Sequence, residues 1–276
     1  MKTLYITDLD GTFLDPSAHV SHNSAKIINK LISDGLLFTI ATARTYATVI
    51  PLFSEVNLKL PLVLMNGVCI YDPVKKKTLA IHGIEPQIGK DVQSIFSKFS
   101  KYPLFYFEND SKMTVRYEHI DNKYIKNYIG EREAFFNKTF EEVSPLDFEK
   151  EKLVYIVTLD KKENLQEIYS KMRLLPGLDC NFYLDNYTDC FFLEAMAAGR
   201  NKASGAAEVK KMLGIDKIVA FGDNINDIPL FRFADECYAV GNACEELKAI
   251  ATRVIESNNK DAVARFIEKK FYEVKE

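Results

Sequence analysis

The feature that most constrains the fold is the alternation of short apolar runs with helical patterns. Residues 4–7, 36–41 and 61–65 have the composition of buried strands, and helical patterns separate them. The same alternation returns from about residue 201 to the strand-like run 217–221. Strands that alternate with helices are typical of parallel sheets. The sequence therefore predicts an α/β fold whose core is a doubly wound, Rossmann-like parallel sheet.

Between about residues 83 and 189 the pattern changes to paired strands interspersed with helices. Runs 104–107 and 113–117 flank the turn-forming residues 108–111, which predicts a hairpin. We therefore expect an inserted α+β module at residues 83–189, with the core formed by residues 1–82 and 190–276.

The inserted module carries an aromatic stretch formed by Tyr102, Phe105, Tyr106 and Phe107. We expect these side chains to be mainly core residues. Because side chains alternate between the two faces of a strand, some of them are expected to face outward, where they would be able to stack on a ring.

Composition limits the class of protein. The chain has 276 residues, of which 47% are hydrophobic and 27% charged, with a formal net charge of −3. These values suit a soluble globular protein and give no general basic field for nucleic acid. The apolar runs are too short for a membrane span, and the acid at position 8 argues against a secretory leader. Five cysteines without a C-x-x-C spacing indicate reduced thiols. We expect a cytoplasmic protein that binds neither nucleic acid nor membranes.

Polar side chains follow three of the predicted strands. Asp8 and Asp10 follow the first strand, and Thr42 follows the second. Asp223 and Asp227 follow the strand-like run 217–221. Since the carboxyl ends of parallel strands lie at one edge of the sheet, these residues should meet there. A spacing of one residue sends Asp8 and Asp10 in opposite directions in extended backbone. Clustered carboxylates require a cation, and oxygen ligands favour Mg²⁺.

A phosphate-bearing ligand at this edge would also need hydroxyl groups and positive charge. Thr42 supplies a hydroxyl, and Lys202 lies just before a predicted helix, from which its ammonium group can reach the same edge. Taken alone, Lys202 is one of 36 basic residues, and its simplest interpretation is a solvated lysine. Only the order of the motifs along the chain favours a functional role for it.

That order of motifs resembles the haloacid dehalogenase superfamily, and within it the Cof-like phosphatases. Asp8-Leu9-Asp10-Gly11-Thr12 is similar to the first motif, Thr42 to the second, Lys202 to the third, and Gly222-Asp223-Asn224-Ile225-Asn226-Asp227 to the fourth. Asn66-Gly67 and Gly241-Asn242-Ala243 also resemble the Cof-like pattern. Two residues depart from it, since Ala43 and Ala262 stand where the family usually has glycine. The alanine at position 43 bears on how closely the backbone can approach a phosphate.

The resemblance implies a magnesium-dependent phosphatase that acts on a small phosphorylated metabolite. It implies that residues 83–189 form a cap over the catalytic edge and set substrate specificity. Asp8 would attack phosphorus and form an aspartyl-phosphate, and Asp10 would act as general acid and base. Mg²⁺ would bind Asp8, the backbone carbonyl of Asp10, and Asp223.

The remaining roles also come from the resemblance. The implied phosphate-binding residues are Thr42, Ala43, Lys202, Asn66 and Gly67. Asn226 and Asp227 would orient Asp223, Lys202 or metal-bound water. Sugar phosphates, pyridoxal phosphate and flavin mononucleotide are the kinds of substrate that the resemblance suggests, and we expect a monomer or a weak homo-oligomer.

Three alternatives remain open at this stage. A phosphomutase of the same superfamily would share the first chemical step and return the phosphoryl group to the substrate. A signalling receiver domain also clusters acids, Mg²⁺, a threonine and a lysine around a phosphorylated aspartate, but receivers are shorter chains and their paired acids are adjacent. A purely binding role is the least favoured, because all the reacting groups are present. Repeated release of inorganic phosphate would separate a phosphatase from all three.

Overall fold

The computed structural model of the protein describes residues 1–109, 112–136, 138–185 and 188–273, and the side chains of all of these except residues 135 and 136. The chain divides into two compact units. One combines Met1–Ala80 with Asn201–Glu276, and the other is Ile81–Arg200. The boundaries predicted from the sequence for the inserted module are residues 83 and 189.

The first part of the core unit starts with a strand, a helix and a second strand, in the predicted order. The elements are β1 (Thr3–Thr7), α1 (His22–Ser33), β2 (Leu37–Ile40), α2 (Tyr46–Leu52), β3 (Leu62–Leu64), β4 (Cys69–Asp72) and β5 (Lys77–Ile81). The Ser21 hydroxyl accepts a hydrogen bond from the Ser24 backbone N–H at 3.0 Å and caps α1. Strands β3, β4 and β5 form a small separate sheet.

The inserted unit contains a six-stranded sheet in the order β10-β11-β9-β6-β7-β8. Its elements are α3 (Pro86–Ser97), β6 (Leu104–Asn109), β7 (Lys112–Tyr117), α4 (Lys123–Phe136), β8 (Thr139–Glu142), β9 (Lys152–Asp160), α5 (Lys162–Met172), β10 (Leu178–Leu184) and β11 (Phe191–Ala197). Strands β6 and β7 pair antiparallel, as the predicted hairpin requires, although Asp110 and Ser111 of its turn lie outside the described residues. The unit extends to Arg200 because β10 and β11 belong to its sheet.

The expectation that some of the four aromatic side chains face outward is wrong for Phe105, Tyr106 and Phe107, whereas Tyr102 is half-buried. Phe105 and Phe107 belong to a hydrophobic cluster with residues of α3 and α5, and each is 1% exposed. Tyr106 is 2% exposed on the other face, where its hydroxyl lies 2.7 Å from the hydroxyl of Tyr128 in α4. Both faces of β6 are therefore covered. The sequence pattern did not identify α4, which supplies the second cover.

The core unit is completed by the last part of the chain. Its elements are α6 (Lys202–Leu213), β12 (Lys217–Gly222), α7 (Ile228–Phe233), β13 (Glu236–Ala239), α8 (Glu245–Lys248), β14 (Arg253–Val254) and α9 (Ala262–Glu273). The core sheet has the order β14-β13-β12-β1-β2, and all its pairings are parallel. Helix α1 packs against α9, and α6 packs against α7. The predicted α/β fold, with a parallel-sheet core and an inserted α+β unit, is confirmed.

The described residues contain neither a candidate membrane span nor a disulfide. No helix in this part of the chain combines the length and the apolar character that a membrane crossing needs. All five cysteines lie in the described ranges, and none of them forms a disulfide.

Two glycines allow helix α6 to begin close to the loop after β3. A Cβ atom on Gly67 would lie 2.0 Å from the carbonyl oxygen of Asn201, and one on Gly205 would lie 2.4 Å from Cγ1 of Val63. Gly67 also has a φ of +85°, in the left-handed region that favours glycine. Since Lys202 is the first residue of α6, this close approach decides where Lys202 lies.

We expect Gly67→Ala to be strongly destabilising, because the new methyl group would collide with the backbone of Asn201 as well as occupy an unfavourable φ. Gly35→Ala is the matched control, since Gly35 has a φ of +100° but a Cβ atom added to it would meet no other atom within 4 Å. The control should cost about 1–2 kcal/mol from backbone conformation alone. Gly67→Ala should cost about 1–3 kcal/mol more, measured by chemical denaturation. Equal losses for the two variants would show that the close approach is not tight.

Candidate functional site

The carboxyl ends of β1 and β12 are neighbours in the sheet. Thr7 is in register with Phe221, and the backbone N–H of Asp8 donates to the carbonyl oxygen of Phe221 at 3.0 Å. The loops that follow these strands bring three carboxylates together. Asp8, Asp223 and Asp227 are buried, and one carboxylate oxygen of each lies within 4.8 Å of the others. The structure thus brings together residues that are separated by more than 200 positions in sequence.

Lys202 lies inside this group of acids. Its side chain is fully buried, and its ammonium group donates to Oδ1 of Asp227 at 2.6 Å and lies 2.7 Å from Oδ1 of Asp8. Burial lowers the pKa of Lys202, but the charges of Asp227 and Asp8 outweigh this effect and raise the pKa above its usual value. Lys202 is therefore a charged, buried residue and not a solvated lysine.

Asp227 organises the loop that carries Asp223. Its Oδ2 accepts hydrogen bonds from the backbone N–H groups of Asp223 at 3.0 Å and Asn224 at 3.1 Å, while Oδ1 accepts from Lys202. A Cβ atom on Gly222 would lie 2.6 Å from Cγ of Asp227, so only glycine allows this contact. Because both oxygens of Asp227 have such partners, its geometry fits an orienting role.

Asp223 is held by a residue from the first loop. The hydroxyl of Thr12 donates to Oδ1 of Asp223 at 2.9 Å. Burial, and then the charge of Asp227, raise the pKa of Asp223 to about 7, although hydrogen bonds from Thr12 and with Asp8 oppose the shift. Thr12 belongs to the first motif, but sequence reasoning assigned it no role. The sequence feature that indicates a role for Thr12 is its position in the same motif, four residues after Asp8.

The charge balance of the cluster suits a divalent cation. Three buried carboxylates face one buried ammonium group, so full ionisation leaves an excess of negative charge. Burial raises the pKa of Asp8 well above its ordinary value, and Asp227 and Asp223 add to the shift while Lys202 opposes it. Carboxylate oxygens are the ligands that hard cations such as Mg²⁺ prefer. The donor set of Asp8 and Asp223 fits such an ion.

Asp10 has a different partner from Asp8. Oδ2 of Asp10 accepts from Nε of Arg44 at 2.7 Å, and Oδ1 accepts from a terminal guanidinium nitrogen at 2.5 Å. This is a two-point ion pair, the strongest common geometry for arginine and a carboxylate. The two acids separated by one residue therefore point to different cations. Sequence reasoning gave Arg44 no role, although it follows Thr42 by two positions at a strand end.

The loop after β2 is tied to the loop after β3. The Thr42 hydroxyl oxygen accepts from the backbone N–H of Arg44 at 3.1 Å, which leaves the hydroxyl hydrogen available for another acceptor. The Thr42 carbonyl accepts from the N–H of Asn66 at 2.9 Å, and the Arg44 carbonyl accepts from that of Met65 at 3.1 Å. These bonds orient the hydroxyl of Thr42 and fix the backbone of Arg44, whose guanidinium group is held by Asp10.

The structure also places the other residues singled out in the sequence. Asn66 has a φ of +51°, and its Oδ1 accepts from the side-chain amide of Asn226 at 3.4 Å. Gly67 packs against Asn201 through the close approach described above. Ala43 lies half-buried between Thr42 and Arg44, and its φ is outside the left-handed region, so an alanine is accommodated there without strain.

Comparisons with known proteins show the family to which the chain belongs. A family model described as haloacid dehalogenase-like hydrolase matches residues 5–267. The chain is 26% identical over 276 residues to the 5-amino-6-(5-phospho-D-ribitylamino)uracil phosphatase of Bacillus subtilis, with 97% of each chain covered. It is 25% identical over 268 residues to the pyridoxal phosphate phosphatase of Escherichia coli, with 94% of this chain and 95% of that protein covered.

Solved structures show the same fold. A haloacid dehalogenase-like hydrolase from Bacillus subtilis matches with a TM-score of 0.79 and 21% identity, covering 98% of this chain and 99% of that one. A protein from Streptococcus mutans matches with a TM-score of 0.80 and 21% identity, covering 99% of this chain and all of the other. Since the family match spans most of the sequence, the chain belongs to the haloacid dehalogenase-like hydrolases.

Proposed function

We propose that this protein is a magnesium-dependent phosphatase that hydrolyses a small phosphorylated metabolite through an aspartyl-phosphate. The observation that carries the proposal is the buried ammonium group of Lys202 between Asp8 and Asp227, with Asp223 beside them. The two relatives named above are phosphatases of small phosphorylated molecules. Their names support the same class of substrate for this chain.

Asp8 is the proposed nucleophile. One of its oxygens is held by Lys202, which fixes the direction of the carboxylate. Attack by Asp8 on phosphorus forms the aspartyl-phosphate and releases the alcohol, which divides one difficult step into two easier ones. Water then attacks the phosphorus and releases inorganic phosphate, which regenerates Asp8.

Asp10 is the proposed general acid and base. It gives a proton to the leaving alcohol in the first step and takes one from the attacking water in the second. Arg44 binds both oxygens of Asp10, which fixes the plane of the carboxylate and separates it from Asp8. We propose that Arg44 holds Asp10 in the orientation that proton transfer needs, through both bonds while Asp10 is ionised and through one of them while Asp10 carries the proton.

Mg²⁺ would be held by the side chains of Asp8 and Asp223 and by the backbone carbonyl of Asp10. When bound, it supplies positive charge that offsets the charge of the phosphoryl group. Asp227 and Asn226 keep the loop of Asp223 in place. Thr42 would donate its hydroxyl hydrogen to a phosphoryl oxygen, and Lys202, together with Ala43, Asn66 and Gly67, would complete the phosphate site.

The inserted unit, predicted from the sequence at residues 83–189, is proposed to choose the substrate. Asp8, Asp10, Thr42 and Lys202 recognise a phosphoryl group but cannot distinguish one alcohol from another. A sugar phosphate, pyridoxal phosphate or a flavin mononucleotide type of substrate therefore requires further contacts. We also propose a cytoplasmic location, a monomer or weak homo-oligomer, and no nucleic-acid or membrane partner.

The direct test is a panel of phosphorylated metabolites assayed for inorganic phosphate in the presence of Mg²⁺. We expect repeated turnover on at least one member. Asp8→Asn should reduce turnover to background while the fold persists, because the amide keeps the shape but is not a nucleophile. A variant that keeps more than a few per cent of the activity would contradict the covalent mechanism. Conversion of one phosphorylated isomer to another without phosphate release would instead identify a phosphomutase.

The role of Arg44 can be tested through the leaving group. An alkyl phosphate needs a proton on its leaving alcohol, whereas p-nitrophenyl phosphate releases an acidic phenol that needs little help. We expect Arg44→Ala to lower kcat/KM, which reports the first step, on an alkyl phosphate by roughly 10²-fold, as for a misplaced catalytic group, and to have a much smaller effect on kcat/KM for p-nitrophenyl phosphate.

The same change in an Asp10→Asn background supplies the control. If Arg44 acts through Asp10, the Arg44→Ala change should have little further effect on kcat/KM once Asp10 has lost its proton-transfer ability. Equal losses on both substrates, or losses that multiply in the double variant, would show that Arg44 acts on the phosphoryl group and not on Asp10.

The raised pKa of Asp223 predicts a pH dependence for magnesium binding. The folded carboxyl titrates at about 7 and the unfolded one at about 3.9, so without metal the folded state loses stability as pH rises between these values. Below about pH 7, Mg²⁺ must displace a proton. The increase in Tm caused by Mg²⁺ should therefore be larger at about pH 8 than at about pH 5.

Asp223→Asn is the matched control for this measurement, because the amide has nearly the same shape but no titratable proton. The variant should lose most of the stabilisation by Mg²⁺ at both pH values. A magnesium-induced increase in Tm that is the same at both pH values in the unmodified protein would contradict the assignment of Asp223 as a ligand.

A further inference from the structure

The loop at residues 240–244, which follows β13, is bonded to both loops that carry the acidic residues. The backbone N–H of Val240 donates to the carbonyl of Gly222 at 3.2 Å, and that of Cys244 donates to the carbonyl of Asp223 at 2.8 Å. The side-chain amide of Asn242 donates to the carbonyl of Gly11 at 2.7 Å. The loop therefore joins the residue after Asp10 to Asp223 itself.

Asn242 is itself held in one orientation. Its Oδ1 accepts from the hydroxyl of Ser257 at 3.0 Å and from the backbone N–H of Asn258 at 3.0 Å. These two donors require the oxygen of the amide on their side, so the NH₂ group faces Gly11. The side chain of Asn258 donates in turn to the carbonyl of Leu14 at 2.9 Å. The turn after Asp8 is thus held at two carbonyl groups, Gly11 and Leu14.

The bond to Gly11 fixes a part of the backbone that is otherwise easy to rotate. Gly11 has φ +75° and ψ −5°, a conformation in which glycine meets no steric barrier from a side chain. The carbonyl of Asp10 belongs to the peptide group that immediately precedes Gly11. Holding the carbonyl of Gly11 therefore limits the direction in which the Asp10 carbonyl points, and also its distance from Asp223.

We propose that Asn242 is a positioning residue of the cation site. By joining the loop of Asp8 and Asp10 to the loop of Asp223, it sets the spacing of the oxygen atoms that bind the ion. This inference rests on the proposed function, because it concerns the same cation. It adds a residue that acts through its hydrogen bond to the backbone carbonyl of Gly11.

Mg²⁺ makes this spacing important. The ion demands nearly octahedral geometry with short bonds to oxygen, so a small displacement of one ligand costs affinity. Groups that orient metal ligands typically change metal affinity by about 10–100-fold when they are removed. The loss of Asn242 should therefore appear in magnesium binding more than in the stability of the fold.

The test measures the Kd for Mg²⁺ alone, by calorimetry without substrate, in the full-length protein. Asn242→Ala should raise this Kd by about 10–100-fold. Asn29→Ala is the matched control. Asn29 makes the same pair of contacts in the core unit, since it donates to the carbonyl of Glu55 at 2.7 Å and accepts from the N–H of Asn57 at 2.8 Å. The Kd of the Asn29→Ala variant for Mg²⁺ should equal that of the unmodified protein.

Asn242→Asp is the second variant and decides the question if Asn242→Ala fails to fold. The carboxylate keeps the size of the side chain and its contacts with Ser257 and Asn258, but it cannot donate to Gly11. An added negative charge by itself favours cation binding, so a raised Kd in this variant would come from the changed contact with Gly11, where a hydrogen bond is replaced by repulsion between two oxygens. Both variants should retain the far-ultraviolet spectrum of the unmodified protein.

The outcomes separate the inference from the proposed function. If the unmodified protein binds Mg²⁺ and both Asn242 variants bind it within about two-fold of the same Kd, the inference is overturned and the proposed function stands. If the unmodified protein binds no Mg²⁺, both are overturned. A raised Kd in the Asn242 variants, with an unchanged Kd in Asn29→Ala, supports the inference.

Discussion

The interaction on which the site depends is the contact of one buried ammonium group with two buried carboxylates. Lys202 meets Asp8 and Asp227 at 2.7 and 2.6 Å, and neither Lys202 nor Asp227 has any exposed surface. Removing one member would leave an unpaired charge in the interior, which is far more costly than the loss of an exposed pair. The close approach of α6 at Gly67, the glycine at position 222 and the turn at Gly11 all allow these charged groups to meet.

The division of the positive charges is consistent with the different tasks proposed for Asp8 and Asp10. Lys202 forms an ion pair with Asp8, and Arg44 forms one with Asp10, so the two carboxylates have different cationic partners and point in different directions. Lys202 also lowers the pKa of Asp223, but burial and the charge of Asp227 outweigh this effect and raise that pKa to about 7. A cation beside Asp8 and Asp223 would complete the charge balance. The count of buried charges thus leaves room for a cation at this site, independently of the family.

Sequence reasoning found the fold and the acids because both are encoded locally. A strand followed by Asp8, and another followed by Asp223, suffices to bring the two acids together once the sheet is parallel. Arg44, Thr12 and Asn242 were not assigned because their partners lie 34 to 231 positions away, and no local pattern encodes such contacts. The burial of Tyr106 was missed for the same reason, since it depends on Tyr128 in α4.

The order of strands in the core sheet has a consequence for synthesis of the chain. Strand β1 lies between β2 and β12, so one of its two edges stays unpaired until β12 has been made. The sheet of the inserted unit contains only its own strands and is complete in sequence at β11. On the ribosome the inserted unit can therefore fold first. At that stage one edge of β1 still has no partner strand, and Asp8 has no ion pair with Lys202. Asp8, the proposed nucleophile, is among the first residues to be made, yet its charge partner Lys202 is among the later ones.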